Sequence, residues 1–327
     1  MDSKIWLWMI LGFVASYICM LIIMPPLIDY LHKIKFGQTE RLEGLQSHQK
    51  KTGTPTMGGI AFIVVPVVLF LLMSLLHITT LDMKSGIILM AFMGYGVIGF
   101  IDDYIIVVKK DNEGLKPAVK FALQSILAVL FFIMYTKGNA STDITVPLLH
   151  VSLDLKYLYF VLVFIMFTAE TNAVNLTDGV DGLCAGQMII ALIPFIVFAL
   201  MQRFSQIALL IVLLEGALFG YLKFNKHPAQ IFMGDTGSLA LGGFIAAVAM
   251  VLKQEILLII IGGVFVAEVL SVIIQVSYYK KTQKRIFRMA PLHHHFEKGG
   301  LSEVQVVHRF RIAGIILAVI GLILGVL

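Results

Sequence analysis

Ten runs of apolar residues organise the chain: 5–28, 58–76, 86–101, 119–136, 157–173, 184–201, 206–222, 237–252, 256–276 and 308–327. Most approach the roughly 17–25 residues that carry an α-helix across ~30 Å of hydrocarbon. The two shorter runs, 86–101 and 237–252, are expected to extend into their flanks. None alternates apolar with polar residues, which excludes a membrane β-barrel. The first run is too long for a signal-peptide core and lacks a small-x-small cleavage site after it, so it reads as a retained span. The pattern predicts an all-α polytopic membrane protein of about ten transmembrane helices, forming one domain over residues 1–327. Composition agrees with this: hydrophobic residues make up 59% of 327 and charged residues 14%. A soluble domain carries about 25% charged residues because it must wet its surface. A bilayer removes that requirement.

Charge then orients the spans. The loops at 31–57, 102–120, 223–236 and 277–311 hold all of the 25 Lys and Arg residues except Lys4, Lys84, Lys137, Lys156, Arg203 and Lys253. Positive-inside bias places those four loops in the cytoplasm and both termini outside, which an even number of spans satisfies. The net charge of +5 follows from this topology and suits anionic headgroups or an anionic substrate. Basic residues spread over four short loops do not suit nucleic acid. Cys19 and Cys184 fall in apolar stretches, with neither disulfide nor metal-ligand spacing, and read as small buried hydrophobes. Gly216-x-x-x-Gly220 and Gly321-x-x-x-Gly325 have the spacing that lets helices approach closely, a spacing that chance also supplies in a chain with 28 glycines.

The acids carry the chemistry. Asp102 and Asp103 end the third run, in Gly-Phe-Ile-Asp-Asp-Tyr; Asp178 and Asp181 lie within residues 172–182; Asp235 precedes the eighth run, in Phe-Met-Gly-Asp-Thr-Gly-Ser. All five fall on the expected cytoplasmic side. Carboxylates converging on one face suit a hard cation such as Mg²⁺, which binds through one or two carboxylates plus substrate phosphate oxygens. A single Asp at a helix end also serves as an N-cap or a solvated interface residue. The Asp102–Asp103 pair differs, because it is expected to cap a helix C-terminus, where the dipole disfavours negative charge. A locally unfavourable placement of this kind points to function. Asp178 and Asp181 would share one side of a turn if their segment winds.

Three further patterns stand beside the acids. Gly53-Thr54-Pro55-Thr56-Met57-Gly58-Gly59 follows Lys50 and Lys51 and opens a span. Its backbone N–H groups suit a phosphate, although the Walker spacing is absent and an ordinary turn explains it equally. His293, His294 and His295 are consecutive, so they cannot all face one metal ion from a helix; contact with phosphate or sugar suits them better. Glu170 and Glu268 lie toward the cytoplasmic side as supporting residues, and Glu215 has no evident role.

At Gly53–Gly59, Gly99–Tyr104, Asn172–Gly182, Phe232–Ser238 and Pro291–Glu297 the chain closely resembles the phospho-N-acetylmuramoyl-pentapeptide transferases of bacterial peptidoglycan synthesis. These belong to the polyprenyl-phosphate phospho-N-acetylhexosamine transferase superfamily. The resemblance runs from about Gly37 to Arg311. It implies transfer from UDP-MurNAc-pentapeptide to undecaprenyl phosphate, giving lipid I and UMP, with Mg²⁺ required. It also implies a ten-span fold, a homodimer, and a cytoplasm-facing cleft in the bacterial plasma membrane. By motif, Asp102, Asp103 and Asp235 resemble the catalytic carboxylates, and Asp235, Asp103 and Asp178 the metal ligands. Lys51, Thr56, Asn175, Asp178, Asp181 and Phe232 resemble nucleotide-sugar contacts; His294 and His295 resemble partners of phosphate or sugar. Gln275, Lys110, Lys120 and Asn225 complete the expected substrate-binding set. Leu45, Ile106 and Leu301 depart from the pattern. Ile106 removes a possible phosphate partner and shifts weight to Lys109, Lys110, Lys116 and Lys120.

Phosphoryl transfer depends more on positioning and charge neutralisation than on covalent help. The expected route is direct attack by the lipid phosphate, oriented or deprotonated by Asp102. A two-step route through a phosphorylated aspartate is the rival. Two other functions remain open on the residues: a related UDP-N-acetylhexosamine transferase, and a transporter using Glu215 and Glu268 near the midplane.

Overall fold

The computed structural model describes residues 4–34, 53–108, 114–138, 140–147, 149 and 151–327. The helices are α1 (Lys4–Lys33), α2 (Gly59–Leu75), α3 (Met83–Val108), α4 (Pro117–Lys137), α5 (Tyr159–Thr177), α6 (Leu183–Met201) and α7 (Ser205–Asn225). They continue with α8 (Gly234–Val251), α9 (Glu255–Ile261), α10 (Gly263–Thr282), α11 (Leu292–Glu297) and α12 (Glu303–Val326). Between α4 and α5, β1 (Asp143–Val146) and β2 (Val151–Asp154) form an antiparallel hairpin with Asp143 opposite Asp154. The protein is an all-α polytopic membrane protein. Among the described residues, nine helices are long and apolar enough to cross a bilayer, and the 17-residue α2 is a shorter tenth apolar helix.

The boundaries depart from the apolar runs in two places. The ninth run breaks at Gly262 into α9 and α10, because hydropathy continues across a glycine where the helix does not. The third span runs on to Val108, so Asp102 and Asp103 lie within α3 instead of capping its C-terminus. Both glycine pairs do bring helices together. Gly216 and Gly220 of α7 pack on Phe13, Ser16, Tyr17 and Met20 of α1; Gly321 and Gly325 of α12 meet Ile261, Leu257 and Phe198. Cys184 is buried and Cys19 partly so, and both are free thiols.

One helix occupies the centre. In α8, 94% of the apolar window is buried, against 22% in α4 and in α12. Its sequence explains the position: Gly-Asp-Thr-Gly-Ser-Leu-Ala-Leu-Gly-Gly-Phe-Ile-Ala-Ala presents small residues around most of its circumference. Small residues let helices pack closely in a bilayer, where apolar side chains gain little by leaving lipid. Gly237 meets Phe62 and Gly59 of α2, Gly242 meets Thr171 of α5, and Gly243 meets Tyr95 of α3. The N-terminus of α8 therefore opens at the heart of one end of the bundle. There the C-terminal ends of α3, α5, α7 and α10 gather with the N-terminal ends of α4, α6 and α12.

Candidate active site

The site begins with the N-terminus of α8 and its unsatisfied backbone donors. Asp103 of α3 caps it from outside. Its Oδ1 accepts the Asp235 N–H at 3.1 Å, and its Oδ2 accepts the Thr236 N–H at 2.9 Å and the Thr236 hydroxyl at 2.6 Å. A carboxylate facing helix N–H groups is favoured by the dipole, so the misplaced charge on α3 is compensated by a different helix. Glycines make the approach possible. A Cβ at Gly99, one turn before Asp103, would strike the Asp235 carbonyl group. One at Gly234, whose φ is +71°, would strike Asp103 Oδ2 and Thr56 Oγ1.

The other two aspartates share a cation. Lys120 Nζ reaches Asp235 Oδ2 and lies 3.5 Å from Asp102 Oδ2. Asp102 Oδ1 accepts the Leu115 N–H at 2.7 Å, and Asn175 donates to Asp235 Oδ1 at 2.7 Å and to the Ser238 hydroxyl at 2.9 Å. Asp103 is 2% exposed and Asp102 6%, whereas the Asp235 side chain keeps 24% of its surface. Two carboxylates thus flank one lysine with a third, Asp103, behind Asp235, and Asp235 is the one most open to a ligand. The structure brings together Asp102, Asp103, Asp235, Lys120 and Asn175 as the sequence predicts.

The glycine-rich segment has a different use from the one its phosphate reading suggests. The Gly58 N–H donates to the Phe232 carbonyl at 2.9 Å and the Gly59 N–H to the Met233 carbonyl at 3.1 Å; the Phe232 N–H donates to Pro55 at 2.8 Å. Those two glycine amides are therefore occupied, and the turn reading holds for them. Gly59 packs backbone to backbone against Gly237, with no room for a Cβ. The segment seats Thr56 beside Gly234, buried, with its hydroxyl unpartnered among the described residues, and leaves Phe232 half-buried.

Residues 178–182 form a turn, so Asp178 and Asp181 do not share a helical side. Asp178 ends α5, half-buried. Asp181 is buried, and its Oδ2 accepts the Ala229 N–H at 3.0 Å beside His227 Nδ1 at 3.1 Å. Asn225 is 1% exposed: its Oδ1 accepts the Gly182 N–H and its Nδ2 donates to the Ile231 carbonyl. The expectation that Asn225 binds substrate meets an amide already used at both ends to join the two loops. Gln275 likewise accepts the N–H groups of Ile286 and Phe287, stapling the segment after α10. His295 Nδ1 accepts the Arg288 N–H at 3.1 Å, and His294 Nδ1 lies 2.8 Å from Glu297. Lys51 and Lys110 lie outside the described residues.

Sequence reasoning missed several supporting groups. Thr236, the clamp on Asp103, lies next to a predicted residue and carries a hydroxyl at a helix start, which was the available signal. His293, which the sequence grouped with His294 and His295 as a phosphate or sugar contact, is instead buried against Gly179, with Nδ1 3.2 Å from Glu268 Oε1. His227, Glu303 and Arg311 meet the 178–182 turn from distant segments, with no local signal at all. Glu215 is buried in α7, its oxygens unpartnered among the described residues.

Comparison with known proteins decides the family. The glycosyl transferase family 4 model matches residues 85–253, the stretch that spans Asp102 to Lys253. The phospho-N-acetylmuramoyl-pentapeptide-transferase of Bacillus mycoides (strain KBAB4) is 50% identical over 313 residues, covering 95% of this chain and 96% of that protein. That of Bacillus subtilis (strain 168) is 48% identical over 317 residues, covering 97% and 96%. That of Geobacillus sp. (strain WCH70) is 48% identical over 318 residues, covering 97% and 98%. The chain belongs to the phospho-N-acetylmuramoyl-pentapeptide-transferase family. It is a multi-pass membrane transferase of peptidoglycan synthesis.

For a transferase of this family the donor set is informative. Asp102, Asp103 and Asp235 offer only carboxylate oxygens, the ligand type of Mg²⁺ rather than of a soft metal. Their negative charge exceeds what Lys120 supplies, and crowded like charges need a further cation or a proton. The residues therefore fit a hard divalent ion. Asp235 is its best-placed ligand, because both Asp103 oxygens are already engaged by the start of α8.

Proposed function

We propose that this enzyme transfers phospho-N-acetylmuramoyl-pentapeptide from UDP-MurNAc-pentapeptide to undecaprenyl phosphate, yielding lipid I and UMP. The reaction takes place at the cytoplasmic leaflet of the bacterial plasma membrane, in a homodimer. The observation that carries the reading is the surplus of carboxylate around Lys120 at one end of the bundle, in a chain about half identical to transferases named for this activity. The helix ends that lead into the basic loops lie at that same end, which supports its cytoplasmic placement.

Mg²⁺ held at Asp235 would neutralise the donor's diphosphate and the negative charge that builds in the transition state. The protein's own groups do the rest. Asn175 fixes the Asp235 carboxylate, and Asp103 fixes the helix that carries it. Lys120 holds Asp235 and Asp102 together and offsets part of their charge. Asp102 Oδ2 orients the lipid phosphate. A phosphate monoester has its second pKa near 6, so it is already largely dianionic at neutral pH and needs no strong base. Its oxygen forms a bond to the sugar-linked phosphorus, and UMP leaves with the electron pair of the bond that breaks. The 178–182 turn and the half-buried Phe232 ring receive the nucleotide-sugar end, and His294 and His295 its phosphates or sugar.

UMP release from purified enzyme, measured with and without Mg²⁺, tests this reading. Asp102→Asn and Asp235→Asn are expected to lose about 10²–10³-fold in kcat. Near-normal rates in both would overturn the site. A burst of UMP without lipid acceptor would replace direct attack with a phosphorylated enzyme, and turnover of UDP-N-acetylglucosamine would replace the muramoyl donor.

A further inference from the structure

The turn at 178–182 is gripped from the last helix by two charged side chains that nothing so far assigns to the reaction. Glu303, at the start of α12, accepts the Asp181 N–H on Oε1 at 2.8 Å. Arg311, about two turns further on, donates from Nη2 to the Gly182 carbonyl at 3.1 Å. The two contacts fall on neighbouring residues of the turn. The Gly182 N–H is taken by Asn225, and the Asp181 carboxylate by Ala229 and His227. Backbone groups in a loop that lacks its own ladder must find partners elsewhere, and here α12 and the end of α7 supply them, while the loop before α8 holds the Asp181 side chain.

Room has been left for the guanidinium. A Cβ at Gly186 would lie 2.7 Å from Arg311 Nε and 2.8 Å from Nη2, and Gly182 adopts φ +71°, a conformation that favours glycine. Even partly burying a guanidinium beside apolar helices is costly, and full surface solvation would be the cheaper arrangement. Arg311 nevertheless lies over α6 with Nε unpartnered among the described residues. Its reach to one carbonyl of this turn is what the placement secures. Glu303 Oε2 also lies 3.4 Å from His227 Nδ1, so one carboxylate ties α12 both to the turn and to the loop before α8.

We infer that Arg311 and Glu303 are positioning residues that hold the 178–182 turn in the shape that receives the nucleotide-sugar donor. This rests on the proposed role of that turn. Neither residue touches the reacting groups, so its loss weakens donor binding more than it slows the chemical step.

Steady-state kinetics with UDP-MurNAc-pentapeptide and undecaprenyl phosphate, paired with amide hydrogen exchange over residues 178–186, test the inference on the full-length enzyme. Arg311→Met is expected to raise the donor KM about tenfold, with less than a threefold fall in kcat and no change in the lipid KM. Arg311→Lys, which keeps one donor, should recover most of that loss. Gly186→Ala should mimic Arg311→Met and add little to it in the double variant, because both remove the same contact. Glu303→Ala should speed exchange at the Asp181 amide. Equal falls in kcat and both KM values, or faster exchange with an unchanged donor KM, would overturn the positioning role. Asp178→Asn separates the two ideas. If it raises the donor KM while the Arg311 and Glu303 variants do not, the clamp is wrong; if none does, the turn is not the donor seat.

Discussion

The two ends of the bundle each hold a half-buried lysine among acids and hydroxyls, and they differ in charge balance. At the end opposite the aspartates, Lys253 Nζ lies 2.8 Å from Glu255 and donates to the hydroxyls of Tyr159 at 3.2 Å and Tyr135 at 3.3 Å. It also reaches the Ser141 carbonyl at 3.2 Å and sits 4.4 Å from the centre of the Tyr159 ring. One cation meets one anion, and every donor direction is filled. At the other end Lys120 faces Asp102 and Asp235, with Asp103 behind them. The first arrangement is balanced in charge without a ligand, although Glu255 Oε2 is buried and unpartnered among the described residues. The second carries a negative surplus that only a further cation or a proton relieves. A matched pair locks a fold; an unmatched one leaves work for a substrate.

Substitutions at the two ends should therefore separate turnover from stability. The largest effect on rate is expected for Asp235→Asn: a loss of about 10³-fold in kcat, with an unfolding midpoint near wild type. Asp103→Asn should act on both properties. It weakens three bonds to the start of α8, costing roughly 2 kcal/mol, and the shift of Asp235 should slow turnover by about 10²-fold. Thermal unfolding in detergent, run beside the UMP assay, reads the two together. Lys253→Met should leave kcat within twofold. It strands Glu255 and should cost about 3 kcal/mol, at the low end for buried pairs because the Lys253 side chain keeps 25% of its exposure. The smallest effect belongs to Gln202→Leu, which removes a 2.8 Å bond to the Leu252 carbonyl. It should cost about 1 kcal/mol and leave the rate unchanged. A Lys253→Met enzyme that is stable but inactive would erase the distinction between the ends.

The apolar runs carried most of the fold, because in a bilayer the length of a run and the length of a span are nearly the same quantity. What they did not carry was the order of packing. That α8 lies at the centre depends on which neighbours its small residues meet, and Thr171 and Tyr95 of other helices are far from it in sequence. The break at Gly262 was hidden by unbroken hydropathy. In the site, Asp102 and Asp103 were legible as charges with no local excuse, and Asp235 by its motif on the same expected face. The capping by Asp103 was not, since its partner Thr236 is 133 residues away. Asn225 and Gln275 show a use the sequence did not reveal: their amides join loops, Gly182 to Ile231 in one case and the segment after α10 in the other. Arg311 gave no signal, because its contact is with a backbone carbonyl whose place only the folded chain defines.

Divalent-ion binding tests most directly whether surplus carboxylate marks the reactive end. Mn²⁺, a hard-oxygen probe for Mg²⁺, can be followed by electron paramagnetic resonance in detergent for wild type, Asp235→Asn and Lys253→Met. One bound ion is expected in wild type and in Lys253→Met, with at least tenfold weaker binding in Asp235→Asn. Equal binding in all three, or loss on changing Lys253 instead of Asp235, would contradict it.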